Sequence, residues 1–336
     1  MPAHPRDALY ADGGATPAIA ACEHIAGSGE CIDRALALQA RLGPMFDITC
    51  DLENGTATGD NAATGEMIAE RMTSSANRFN RMGLRIDPHG HPDWKRNIER
   101  VVGAAGARLA YVSISKVESR MTLLQVVSYV YHVAAEAGLT RPIPIHAIIE
   151  THGGLRDLIN IAELPVIEAL VFGLLDFVSS HNGAIPESAT TSPGQFDHPL
   201  VRRAKVEVAA VAHSYARVPV HNFTTALDDP IKVSDDARRA LDEFGYLRMI
   251  AIHPSQIEPI VTSMRPSAAS IDRAAAIVLT AQHADWAPIR HDSRVHDRAS
   301  FRHCWQVLER ARATGAQLPA DAYHAFFHAS DQGVLQ

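Results

Sequence analysis

Three acids stand where acids are costly. Glu53 follows the apolar run Met45 to Leu52, Glu150 follows Ile145 to Ile149, and Asp176 comes just after Ile167 to Phe172. A carboxylate at the inner end of a strand needs a cation or a proton to neutralise it. A hard divalent ion such as Mg2+ takes oxygen ligands, commonly one or two carboxylates, and leaves its other positions to water and substrate. Glu150 and Asp176 offer such a pair from consecutive strand ends, so they are the expected ligands of one Mg2+ ion. The chemistry on offer is Lewis-acid polarisation of a carbonyl or an alkoxide.

Other side chains are placed to serve such a centre. Arg85 carries a guanidinium fork that fits a carboxylate, or forms an ion pair at its strand's end. Gly153-Gly154, after Thr151, opens a helix whose backbone N–H groups suit an anion. A substrate carboxylate is the expected anion, because neither GxGxxG nor a P-loop occurs; a Gly-Gly pair is equally an ordinary turn. His24 is an acid–base group near neutrality, expected to hold a substrate carboxyl or carbonyl. Lys116 pairs either with Glu118 or with the carboxylates of the site. His152 reads as a loop or substrate contact, and His89 and His91 around Gly90 as surface residues.

The elements that must position these residues alternate as strand and helix. Strands are expected at Glu23 to Ala26, Met45 to Leu52, Gly83 to Asp87, Leu109 to Ile114, Ile145 to Ile149, Ile167 to Phe172, Val218 to Phe223 and Met249 to Ile252, with amphipathic stretches between them. Repeated βα units imply a parallel sheet, and eight of them an α/β (β/α)8 TIM barrel. The polar clusters then share the barrel's C-terminal face, where the βα loops converge. Residues 1–265 form the expected barrel. Residues 266–336 form a C-terminal helical extension, with helices at Ala268 to Asp285, Phe301 to Thr314 and Pro319 to His328.

Composition narrows the partners. The chain has 336 residues, 46% hydrophobic and 21% charged, and a formal net charge of −7 without a Lys/Arg block, which argues against nucleic acid. No window approaches the roughly 18 apolar residues of a membrane span, and no apolar leader follows Met1. Four cysteines at irregular spacing suggest neither a thiolate zinc site nor a disulfide framework, so a reducing cytoplasm is the expected location.

In order, Asp51-Leu52-Glu53, Arg85-Ile86-Asp87, Ser115-Lys116-Val117-Glu118, Ile148 to Gly154, Phe172 to Asp176 and Ile252-His253-Pro254-Ser255-Gln256 resemble the motif set of the HpcH/HpaI aldolase and citrate lyase superfamily. Within it, the chain is most similar to the citrate lyase beta subunit and to malyl-CoA-lyase-like proteins. The resemblance implies a Mg2+-dependent carbon–carbon lyase acting on a 3-hydroxyacyl-CoA thioester such as citryl-CoA or malyl-CoA, which yields a 2-oxo acid and an acyl-CoA. It also implies catalytic roles for Arg85 and Glu53, substrate binding by Arg85, a homo-oligomer (trimer or hexamer), and a C-terminal lid. Asn54 departs from the pattern by standing where the family has a second acid. Two alternatives stay open: a pyruvate-type class II aldolase that needs no coenzyme A, and a non-catalytic barrel that binds a dicarboxylate.

Overall fold

Eight short strands pair in parallel, each with the next, and the last closes on the first. They are β1 (Cys22–Ala26), β2 (Phe46–Asp51), β3 (Met82–Ile86), β4 (Leu109–Ile114), β5 (Ile145–Ile149), β6 (Ile167–Phe172), β7 (Val218–His221) and β8 (Arg248–Ala251). The computed structural model describes residues 3–11, 13–53 and 61–328. Asn54 therefore lies outside the described residues. The closed barrel is the architecture expected from the βα repeats, and β4, β5 and β6 keep their expected limits.

Alternation along each strand divides the side chains between two environments. On β2, Phe46, Ile48 and Cys50 join the apolar layer under the helices. Asp47, Thr49 and Asp51 lie on the other face, inside the barrel, and all three are buried. The interior near the strands' N-terminal ends is charged. Fully buried Arg248 lies between Glu23 and Asp47, and its Nη2 donates to the Tyr111 hydroxyl at 3.0 Å. Thr49 donates to Glu23 at 2.7 Å and meets the same hydroxyl at 2.6 Å. The Tyr111 ring stacks on His146, with centroids 3.9 Å apart. Gly83 provides the space: a Cβ there would lie 2.3 Å from the Tyr111 ring.

The chain forms two compact units, Ala20–Met264 and a second made of Met1–Ile19 with Arg265–Gln336. The N-terminal segment thus groups with the C-terminal helices and not with the barrel. In that second unit, Leu9 joins Ile271, Phe301, Trp305 and Leu308 in one apolar cluster. Arg6 donates to Glu309 through Nε at 2.8 Å, and Arg302 donates to the Leu9 carbonyl at 2.8 Å. Helices run at Ala268–His283, Arg298–Ala313 and Ala320–Phe326. An unexpected hairpin, Ile289–His291 with Arg294–His296, turns on Asp292 and Ser293, both at positive φ (46° and 62°). That pair of positive φ angles is what a two-residue hairpin with native twist requires.

Candidate active site

At the C-terminal ends of β2 to β6, four acids and two bases converge. Asp51, the last residue of β2, stands directly opposite Arg85 of β3 in the strand register. It accepts Nε at 2.7 Å and Nη2 at 2.6 Å. Arg85 Nη1 lies 3.2 Å from Glu53 Oε2. Burial alone would lower the pKa of Arg85, but the bond to Asp51 and the charges of Asp51, Glu53 and Glu150 raise it, so the guanidinium stays charged.

Lys116 follows β4 by two residues and takes a positive φ of 48°. Its backbone N–H donates to Glu150 Oε1 at 2.8 Å. Its ammonium bonds Glu53 Oε1 and lies 3.7 Å from Asp176 Oδ1. Burial pulls the Lys116 pKa down, and the bond to Glu53 with the charges of Glu53, Asp176 and Glu150 outweighs that pull.

Glu150, just after β5, is buried, whereas Asp176, in the first turn of the helix Leu174–Ser179, is half-exposed. Burial pushes the Glu150 carboxyl up to about 7, helped by Glu53 and Asp176 and opposed by the Lys116 N–H. Gly173 leaves the room Glu150 occupies, since a Cβ there would lie 2.1 Å from Oε2.

This arrangement fits a divalent ion. With Glu150 deprotonated, four carboxylates, Asp51, Glu53, Glu150 and Asp176, face two cations, Arg85 and Lys116, which leaves two negative charges over. One Mg2+ carries that charge, and an all-oxygen set suits a hard cation. Among the described residues no group of three or more His, Cys, Asp or Glu gathers for a metal. Glu150 and Asp176 are the residues that would hold such an ion.

The structure brings Glu53, Arg85, Glu150 and Asp176 together, and leaves three of the expected residues out. His24 is on the opposite face of β1 from Glu23, beside Ile48 in the register, and so points to the helix layer. Its Nδ1 bonds the Ala251 carbonyl at 3.2 Å, and burial lowers its pKa to about 4, so it is a neutral core residue away from the mouth. Gly153 and Gly154 pack against a neighbouring loop. A Cβ at Gly153 would lie 2.0 Å from Glu118 Oε2, and one at Gly154 2.2 Å from the Val117 carbonyl, so both are glycine for close packing against the β4 loop. The Gly154 N–H is already taken by the Thr151 hydroxyl at 2.9 Å, and the helix it opens has five residues. His152 is at the surface on the Ser180 carbonyl, and His91 lies 3.6 Å from Asp87.

Sequence reasoning missed Asp51 and Gly173. The alternation Asp47, Thr49, Asp51 marked one polar face of β2, and its last member had to meet Arg85 on the next strand. Nothing in the local sequence marked Gly173, because its role depends on contact with Glu150 across the sheet.

The model of the HpcH/HpaI aldolase/citrate lyase family matches residues 44–240, more than half of the chain. An L-malyl-CoA/beta-methylmalyl-CoA lyase of Cereibacter sphaeroides is 25% identical over 248 residues, covering 68% of this chain and 78% of that protein. The crystal structure of a citrate lyase from Burkholderia xenovorans aligns with a TM-score of 0.82 at 44% identity, over 96% of this chain and 100% of that one. CitE of Mycobacterium tuberculosis, crystallised with magnesium, acetoacetate and coenzyme A, shares the fold with a TM-score of 0.64 at 21% identity, over 88% and 98% of the two chains. The chain belongs to the HpcH/HpaI aldolase/citrate lyase family and is a carbon–carbon lyase of the citrate lyase beta subunit type.

Proposed function

We propose that this lyase cleaves a 3-hydroxyacyl-CoA thioester of the malyl-CoA or citryl-CoA kind into a 2-oxo acid and an acyl-CoA, with Mg2+ held by Glu150 and Asp176. The observation that carries the reading is the charge of the mouth, two negative charges in excess once Glu150 is deprotonated, around a carboxylate just after β5 and one in the helix after β6. The Mycobacterium tuberculosis neighbours support it, having been crystallised with magnesium and oxaloacetate, and with magnesium, acetoacetate and coenzyme A.

When bound, Mg2+ supplies Lewis-acid polarisation of the oxygen at the carbon that becomes the oxo group. Asp51 takes one edge of the Arg85 guanidinium and so aims the rest of the group. Two of five N–H donors are thereby committed and Nη1 faces Glu53, and the donors that remain bind the carboxylate of the oxo-acid fragment. Glu53 acts through its neighbours, fixing Arg85 with one oxygen and Lys116 with the other. As the bond between C2 and C3 breaks, its electron pair passes to C2 of the acyl fragment, the C3 hydroxyl gives up its proton to become the oxo group, and C2 takes up a proton to complete the acyl-CoA. The site's fixed charges are set before that step, so little reorganisation is needed as it occurs.

The test is product release from malyl-CoA and citryl-CoA in Mg2+ buffer and in EDTA, with wild type, Glu150→Ala and Asp176→Ala. The reading requires turnover of a thioester by the wild type in Mg2+ alone. Turnover in EDTA overturns the metal assignment. Cleavage of a free hydroxy-oxo acid but of no thioester marks the coenzyme-A-independent aldolase, and stabilisation by oxaloacetate without turnover marks the binding protein.

A further inference from the structure

Lys116 reaches three carboxylates at once. Its backbone N–H holds Glu150, and its ammonium lies between Glu53 and Asp176. A lysine seldom adopts φ near +48°, and conformations of this kind persist where the surroundings fix them. Here the turn aims the N–H at one acid and the side chain at two others. Glu118, the alternative partner, packs instead over Gly153.

We infer that Lys116 is a resident counter-cation of the acid cluster, which anchors Glu53 and competes with the divalent ion for Asp176. The inference rests on the metal reading of Glu150 and Asp176. Three observations carry it. The ammonium is 3.7 Å from the carboxylate of a proposed ligand, within ion-pair distance. The two groups differ in freedom, since the Glu53 side chain is 7% exposed while that of Lys116 is 37% exposed and that of Asp176 48%. The ammonium can therefore turn from Asp176 toward water without losing Glu53. Last, Lys is a compact point charge on a flexible stem, which suits it to yield a ligand that a rigid guanidinium fork would keep.

A positive charge held beside the ligands weakens the attraction of the site for a divalent ion, so its removal strengthens that attraction. Positioning of this kind is set apart from plain structural support by the sign of the change. A variant that only loosened the site would bind metal more weakly.

The experiment is calorimetric titration of Mg2+ into EDTA-stripped, full-length protein at pH 8, comparing wild type, K116M and K116R, with D176N as the ligand control. K116M should bind Mg2+ about tenfold tighter, equivalent to about 1.4 kcal/mol. K116R keeps the charge and holds Asp176 more firmly, so it should bind Mg2+ no more tightly than wild type, and D176N should lose most of the affinity. Should K116M fail to fold, K116Q makes the same change of charge. Equal or weaker binding by the neutral variant, with wild-type binding intact, overturns the inference and leaves the metal reading standing. No binding by the wild type is a different result and overturns both.

Discussion

Asp51 grips Arg85 side-on from the directly opposed position of the neighbouring strand, with two bonds of 2.7 and 2.6 Å. Glu53 faces the remaining edge of the guanidinium, 3.2 Å from Nη1. The guanidinium is therefore aimed before any substrate arrives, and binding does not have to meet the entropy of ordering it.

Asp51→Asn removes one acceptor and the charge. The expected result is a rise in KM for the carboxylate-bearing substrate and a loss of about 10- to 100-fold in kcat/KM, about 1.4 to 2.7 kcal/mol. Arg85→Lys should lose at least as much, because an ammonium cannot satisfy Asp51 and a substrate carboxylate in the same plane. Steady-state kinetics with varied thioester checks both, and an unchanged KM in both variants would remove Arg85 from substrate binding.

Gly173→Ala is expected to disable the site with the barrel intact. The new Cβ would press on Glu150 Oε2 at 2.1 Å and on its Cβ at 2.6 Å, and Glu150 must move. Mg2+ affinity should fall by about 100-fold, about 2.7 kcal/mol. Calorimetry with circular dichroism as the control for folding checks this.

The pH dependence follows from Glu150, whose carboxyl is raised from 4.5 to about 7. Between those values the folded protein keeps a proton that the unfolded chain has lost. This stabilisation is fully present below pH 4.5 and is lost as pH rises through about 7. In metal-free protein it amounts to at most about 3 kcal/mol, at 1.36 kcal/mol per unit. Glu150→Gln should flatten this part of the profile of melting temperature against pH. Mg2+ must displace the same proton, so its apparent affinity should drop by up to about tenfold per unit below pH 7. An affinity independent of pH from 6 to 8 would contradict the assignment of Glu150.

Arg248→Met should be among the most destabilising single changes in the barrel. It leaves Glu23 and Asp47, each buried, without their shared cation. Breaking a buried ion pair from one side costs about 3 to 5 kcal/mol. Urea denaturation measures it, and a loss below about 1 kcal/mol would mean that water reaches the barrel interior.

The fold was legible because apolar runs and the polar clusters after them mark strands and their C-terminal ends. Ile145 to Ile149 and Glu150 illustrate it, an uninterrupted buried strand followed at once by an acid. His24 shows the limit. Its neighbour Glu23 points into the barrel, and a shift of one residue in phase exchanges the two faces. Without the register to β2, a histidine in a short strand cannot be assigned to the core or to the mouth. Gly153 and Gly154 show a related limit. A glycine needed for close approach of a distant carbonyl has the same local signature as one that exposes N–H groups. The charged interior was hidden because Arg248, Glu23 and Asp47 are far apart in sequence and meet only when β8 closes on β1.

The contact between Gly83 and Tyr111 has a further consequence for how this barrel can change. Any side chain at Gly83 evicts the Tyr111 ring, and with it go the hydroxyl shared by Thr49 and Arg248 and the stack on His146. A smaller residue at 111 that would make room first leaves Thr49 and Arg248 without that hydroxyl. Neither position has a neutral first step, so the pair behaves as a ratchet. A change at either position is thereby tied to a simultaneous change at the other.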